Sequence, residues 1–325
     1  MGLLSPKNTT RTTAHLLPTV TALAVFSVTA IFLYKLLKRY PGMVPDVDMM
    51  FDCMDKPRIN TTEHRSMPLP LFRYCTTEDH SDIPFPDWSF WGWPETNLRP
   101  WDEEFRDIKR GSQRISWSRK DWAARIGYGK SKLSNQCDYK YKIYAEGYAW
   151  SVSLKYILSC GSLALIITPD YEDFFSRGLI PLKNYWPVSS NNICPSIKYA
   201  VDWGNGHSSE AKAIGKEGQK LMETLSTDSV YDYMFHLIAE YSKLQDFKPV
   251  PPSSAKQLCS DSLLCIADYE QRQYLQQSTA FPSQAPPCTL LPADRNVIKS
   301  WKQQKKKIIK DVEDMEKVKA QRRSK

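Results

Sequence analysis

The sequence predicts an α/β fold behind an N-terminal membrane helix, and three observations carry that prediction. Residues 16–34, LLPTVTALAVFSVTAIFLY, hold no charged side chain. Tyr141 to Ala145 and Leu163 to Ile167 read as strands around an apolar-periodic stretch from Ala149 to Ser159, which makes one strand–turn–helix–strand unit. The chain of 325 residues is 42% hydrophobic and 25% charged, which excludes a mostly disordered polypeptide.

Taken in order, residues 1–15 are polar and carry Lys7 and Arg11. At about 1.5 Å per residue, residues 16–34 just span a hydrocarbon core of about 30 Å. The run ends in Phe32-Leu33-Tyr34 rather than in small residues, which favours an uncleaved anchor over a signal peptide. Residues 35–250 form the body. Leu163 to Ile167 has the unbroken apolar character of a strand buried on both faces. Residues 229–247 read as an aromatic-rich amphipathic helix. Residues 251–296 are rich in proline and serine and read as a linker, with a short helix near 261–275.

The tail, residues 297–325, is helical in propensity and holds eleven Lys/Arg against four Asp/Glu, so +7 of the net +8 lies there. The body is therefore nearly neutral, without the basic footprint of a nucleic-acid binder. Two readings of the tail stand: a solvated helix, or a contact with a membrane surface or partner.

Three segments carry candidate chemistry. The turn Glu146-Gly147-Tyr148-Ala149-Trp150-Ser151 follows a strand and precedes a helix, the place where open α/β sheets bind ligands. Gly147 would let a diphosphate approach the backbone, Ser151 would cap the helix or bond an oxygen, and Lys155 would help neutralise charge. A glycine there also has a purely structural use. Asp55 ends a strand-like stretch and precedes a proline-ended turn, a place for a general base or a turn cap. The segment Phe85-Pro86-Asp87-Trp88-Ser89-Phe90-Trp91-Gly92-Trp93-Pro94-Glu95 puts three tryptophans in six residues, suited to packing on sugar C–H faces or to burial in the core.

Arg99 to Arg114 adds a basic segment, mostly solvated. Asp46-Val47-Asp48 reads as a solvated or capping pair, although metal-dependent sugar transferases use such pairs. The five histidines form no metal array, and no G-x-S-x-G, P-loop or G-x-G-x-x-G occurs. No metal and no cofactor is expected. The eight cysteines contain no C-x-x-C, and their pairing stays open.

Several long motifs occur in order. They are Leu37-Lys38-Arg39-Tyr40-Pro41-Gly42, Met50-Phe51-Asp52-Cys53-Met54-Asp55, Phe85 to Gly92, Arg99-Pro100-Trp101, Tyr141 to Gly147 running on to Cys160-Gly161-Ser162, and Tyr171-Glu172-Asp173-Phe174-Phe175. Over roughly residues 31–250 the chain resembles the Rumi-type protein O-glucosyltransferases, the CAP-domain glycosyltransferases, in a plant-like form. The resemblance implies a GT-B architecture of two Rossmann-like halves with a UDP-sugar, UDP-glucose or UDP-xylose, in the cleft. It implies inverting transfer to a hydroxyl in the secretory lumen. Joined to the anchor over residues 16–34, it gives the expectation of a single-pass type II protein of the ER or Golgi membrane acting on a protein or cell-wall polysaccharide hydroxyl.

Carried over by position, Asp55 matches the catalytic base. Trp93 to Asn97 matches a loop at the donor and acceptor site. Tyr148, Ala149, Trp150, Ser151, Val152 and Ser153 match the nucleotide-sugar turn. Two segments common in the family are missing: one between the anchor and Leu37, leaving the first half incomplete, and a few tens of residues after Lys120. Ser153 stands where some relatives place a diphosphate-contacting arginine. These departures open an alternative: a catalytically impaired protein that binds a glycan or a partner glycosyltransferase. The sequon Asn60-Thr61-Thr62 is usable if the body is luminal.

Overall fold

The computed structural model describes residues 33–92, 98–113, 133–255 and 293–323, with scattered positions between 257 and 291. Among the described residues it contains two three-stranded parallel sheets. The first runs β1 (Met50–Phe51), β2 (Leu71–Arg73) and β3 (Ile83–Pro84) in that order. The second runs β4 (Tyr141–Tyr144), β5 (Leu163–Ile167) and β6 (Trp186–Val188). The helices are α1 (Trp101–Ser112), α2 (Ser153–Ser159), α3 (Ile193–Gly206), α4 (Ser208–Thr224), α5 (Thr227–Ser242) and α6 (Arg295–Arg323).

The expected strand–helix–strand unit is present: β4 and β5 pair in parallel, Tyr141 opposite Leu163, with α2 between them in sequence. β5 is central because both of its faces are apolar, and Leu163, Ala164 and Leu165 are fully buried. The crossover helix starts at Ser153, not Ala149. The Ser151 hydroxyl accepts the Ser153 N–H at 3.3 Å, and Gly147 N–H bonds the Ala149 carbonyl, so residues 145–152 stay a loop. The aromatic helix starts at Thr227, where the Ser226 hydroxyl accepts the Ser229 N–H as an N-cap.

α4 lies close against the second sheet because two of its residues lack side chains. A Cβ at Gly215 would sit 2.5 Å from the Gly161 carbonyl oxygen, and one at Gly218 would sit 2.6 Å from that of Asn184. One continuous core joins the halves: Phe72 and Phe85 of the first belong to the same buried cluster as Leu154 and Ile166 of the second. A disulfide between Cys137 and Cys160 ties the 3-10 turn Leu133–Asp138 to the end of α2.

The expected membrane helix requires correction. No helix among the described residues is long and apolar enough to cross a membrane. Residues 16–32 of the expected span lie outside the described residues. Its last two residues, Leu33 and Tyr34, lie in a helical segment described over 33–39 and pack on the hydrophobic core of the body. The same face continues into Leu36 and Tyr40, each 1% exposed, so these apolar positions serve the protein interior.

The linker's short helix near 261–275 falls mostly outside the described residues. The tail forms α6, which folds back on the body: Val312 is buried in the cluster of the second sheet, and the Ser196 hydroxyl donates to Glu316 at 2.6 Å.

Candidate active site

The loop that carries Asp55 is pinned from beneath. Arg73, at the end of β2, is 2% exposed. Its guanidinium pairs with the Asp52 carboxylate and donates to the Met54 carbonyl at 2.8 Å. Cys75 donates through Sγ to the Asp55 carbonyl at 3.0 Å. Backbone and neighbours are thereby fixed while the Asp55 side chain stays exposed.

The second sheet brings its turn to this loop. Lys56 Nζ lies 4.1 Å from the centroid of the Tyr148 ring, a cation–π contact between the halves. Tyr148 is 72% exposed. The rings of Tyr74 and Trp150 meet at 5.4 Å. Nothing lies within 4 Å of where a Cβ of Gly147 would stand, so its backbone is open to approach. Ala149 and Trp150 are buried, whereas Ser151, Val152 and Ser153 are half-buried. The Ser151 and Ser153 hydroxyls bond each other at 2.9 Å.

Beside the turn, a crevice of about 670 Å³ opens at the carboxyl ends of β4 and β5. Tyr144, Trp150, Leu154, Ile166 and Tyr185 form its apolar wall. Residues 77–80 of the first half close one side and Lys302, Lys305, Lys306 and Ile309 of α6 another. The backbones of Thr76 and Glu172 exchange two hydrogen bonds of 2.9 Å across the halves. Glu146 accepts the N–H groups of Asp170 and Tyr171, each at 2.9 Å, which sets the rim, and burial raises its pKa. The Trp150 indole N–H is buried without a hydrogen-bond partner. A buried donor of this kind is costly unless an acceptor arrives.

Lys155 does not face the crevice. It is 1% exposed, lies 3.7 Å from Asp87, bonds Ser89 and has the Phe90 and Tyr156 rings 4.6 Å away. Burial pushes its pKa down, against the pull of Asp87 and Asp173. The apolar surroundings of α2 turn this side chain inward, so the expected neutralising role is corrected to a buried ion pair. The aromatic segment is largely core as well. Phe90 and Trp91 are buried, and the Trp91 indole donates to the Tyr231 hydroxyl at 3.0 Å. Trp93 and the rest of 93–97 lie outside the described residues, as does the point after Lys120 where a segment is expected to be missing. Asp46 and Asp48 are exposed. Arg99 and Arg110 pair with acids on α1.

Sequence reasoning missed Arg73 and the contribution of α6. The tail's lysines at 302, 305 and 306 share one helical face, a spacing visible in the sequence, but nothing in the sequence told which surface that face meets.

Fold and site define an α/β protein with a crevice at the carboxyl edge of a parallel sheet, beside a turn that touches a loop presenting a carboxylate. The model of Glycosyl transferase family 90 matches residues 19–124 and 119–316, and the chain belongs to that family. It is similar to the O-glucosyltransferase rumi homolog of Aedes aegypti, 24% identical over 255 residues that cover 63% of each chain. It is 22% identical to O-glucosyltransferase rumi of Drosophila melanogaster over 64% of this chain and 63% of that one. Against Protein O-glucosyltransferase 1 of Homo sapiens it is 23% identical over 63% of this chain and 64% of the other. The chain thus spans 63% to 64% of the length of these relatives.

Proposed function

We propose that this chain is a UDP-sugar-dependent O-glycosyltransferase that transfers glucose to a protein hydroxyl with Asp55 as base. The observation that carries the reading is the juxtaposition of the Asp55 loop with the Gly147–Trp150 turn beside the crevice, through the Lys56–Tyr148 contact at 4.1 Å. Family membership and the likeness to O-glucosyltransferases support it.

In this reading the donor lies in the crevice beside the Gly147–Trp150 turn. The acceptor O–H gives its proton to the Asp55 carboxylate. The acceptor oxygen bonds to the anomeric carbon as the sugar–diphosphate bond breaks, and UDP leaves with the released electron pair. Attack from the face opposite the diphosphate inverts the anomeric centre. The brace of Arg73, Asp52 and Cys75 holds the base in place. We assign the body to the ER or Golgi lumen, supported by the Cys137–Cys160 disulfide, which persists in an oxidising compartment.

A second reading, a binding protein without transfer, is favoured by Ser153 and by the burial of Lys155, which leave the turn without a cation facing the crevice. One experiment separates the two. The purified chain is incubated with UDP-glucose or UDP-xylose and protein acceptors, and released UDP is measured. UDP binding is read as a thermal-unfolding shift. Transfer from UDP-glucose that Asp55→Asn abolishes, with the UDP shift kept, is the expected result. Undiminished turnover in Asp55→Asn would overturn the base. A UDP shift with no transfer by the unaltered chain would support the binding reading, and a preference for UDP-xylose would change the sugar.

A further inference from the structure

The crevice holds a charge pattern that the candidate turn does not explain. Its apolar wall suits a planar base, and Trp150, nine-tenths buried, brings it an indole N–H that lacks an acceptor. Yet Lys155, the cation of α2, is spent inside on Asp87. The ammonium groups that line the crevice come from α6 instead, at positions 302, 305 and 306. Lys306 pairs with Glu78 at 2.7 Å. Lys302 is exposed at the mouth, and Lys305 is half-buried one turn further, donating to the Arg177 carbonyl at 3.2 Å.

We propose that Lys302 and Lys305 of the C-terminal helix are the cationic contacts for the diphosphate of a nucleotide bound in this crevice. The inference rests on the reading of the crevice as the donor site. Five acids also line the crevice, and two of them act on these lysines, Glu172 on Lys305 and Glu78 on Lys302. Glu172 lies against Arg177 at 3.4 Å, and Asp173 is held by the Phe175 and Ser176 N–H groups. Asp79 and Asp170 also line the crevice, so the anion sits on the α6 side. Burial and the neighbouring Lys302 both lower the pKa of Lys305, against Glu172, so an arriving anion relieves a poorly solvated ammonium. The helix that closes the crevice would thereby also complete it.

The test compares UDP with uridine, which shares the base and sugar but lacks the phosphates, by calorimetric titration of the full chain. The unaltered protein should bind UDP well above uridine. Lys302→Gln and Lys305→Gln should each weaken UDP roughly tenfold, and the double variant should bring UDP down to the affinity of uridine, which stays unchanged. Lys305→Arg should keep most of the preference. Lys299→Gln, on the same helix but outside the crevice, should leave UDP binding unchanged and so controls for net charge. Full UDP affinity in a folded double variant would place the phosphates elsewhere and overturn the inference while sparing the donor reading. Equal loss in Lys299→Gln would reduce the effect to long-range charge and overturn it too. An unaltered chain that binds neither ligand would remove the donor reading itself.

Discussion

Lys155 is a lysine with almost no water around it, and its surroundings decide what it can do. From the sequence alone it sits one turn into a helix behind a glycine turn, a natural place for a phosphate-binding cation. The structure sends it into the core against Asp87, because α2 buries nearly all of its faces and has no outward side for it. That choice is not written in local spacing, since burial is a property of the packed molecule. Removing one partner of a buried pair leaves the other charge uncompensated, at a cost of about 3–5 kcal/mol. Lys155→Met should therefore lose stability on that scale in urea unfolding, and adding Asp87→Asn should recover part of the loss. A loss in Lys155→Met below about 1 kcal/mol, the range of an exposed pair, would contradict the buried pairing. Asp173 gives a second test. Burial lifts its pKa to about 6, against the Ser176 N–H, from an ordinary 3.8. Between those values the folded form holds the proton more tightly than the unfolded chain. Its contribution is therefore full below about pH 4, falls as pH rises to about 6, and is level above. Asp173→Asn should remove that decline, measured as the difference between the two proteins in urea unfolding across pH 4 to 7. A difference that stays constant or changes in the opposite sense would contradict the assignment.

Elements were easier to read than side chains, for a physical reason. β5 announces itself because a strand covered on both faces has nowhere to place a polar residue, and α5 because its apolar positions recur with the helical period. The crossover helix starts at Ser153 rather than Ala149 because residues 145–152 stay in a loop closed by the Gly147 N–H on the Ala149 carbonyl. The short strands of the first sheet, two or three residues each, leave too little alternation to detect. Register between α4 and the sheet was equally silent, since Gly215 and Gly218 look like weak points in a helix. The packing explains them: each marks a place where helix backbone meets sheet-side backbone. Gly215→Ala gains helix propensity, worth up to about 1 kcal/mol, but drives a methyl into the Gly161 carbonyl at 2.5 Å and the Ser162 backbone at 2.7 Å. Overpacking against backbone costs about 1–3 kcal/mol. A net destabilisation in urea unfolding is expected. A variant as stable as the parent would mean that α4 can move away from β5 at no cost.

At the scale of the molecule the question is whether two sheets make one folding unit or two. The family architecture suggested separable halves, and the sequence offered no measure of how tightly they join. The contacts do. The buried Lys155–Asp87 pair, the Thr76–Glu172 bridge and the Lys56–Tyr148 contact all cross between segments that carry different sheets. The largest buried cluster draws Phe72, Phe85, Leu154 and Ile166 into one interior. α6 adds a strap, with Val312 in the second half and Lys306 on Glu78 of the first. Halves that share a core cannot unfold singly without exposing the other's apolar surface, so partial unfolding is unfavourable at every step. One cooperative transition is expected. Tryptophan fluorescence reports packing in both halves, through Trp91, Trp101, Trp150 and Trp186, while far-ultraviolet circular dichroism reports the helices. Their urea curves should coincide for the oxidised chain. Two separated transitions would show that the shared interior contributes less than either half's own packing, and the crevice between them would then open without global unfolding.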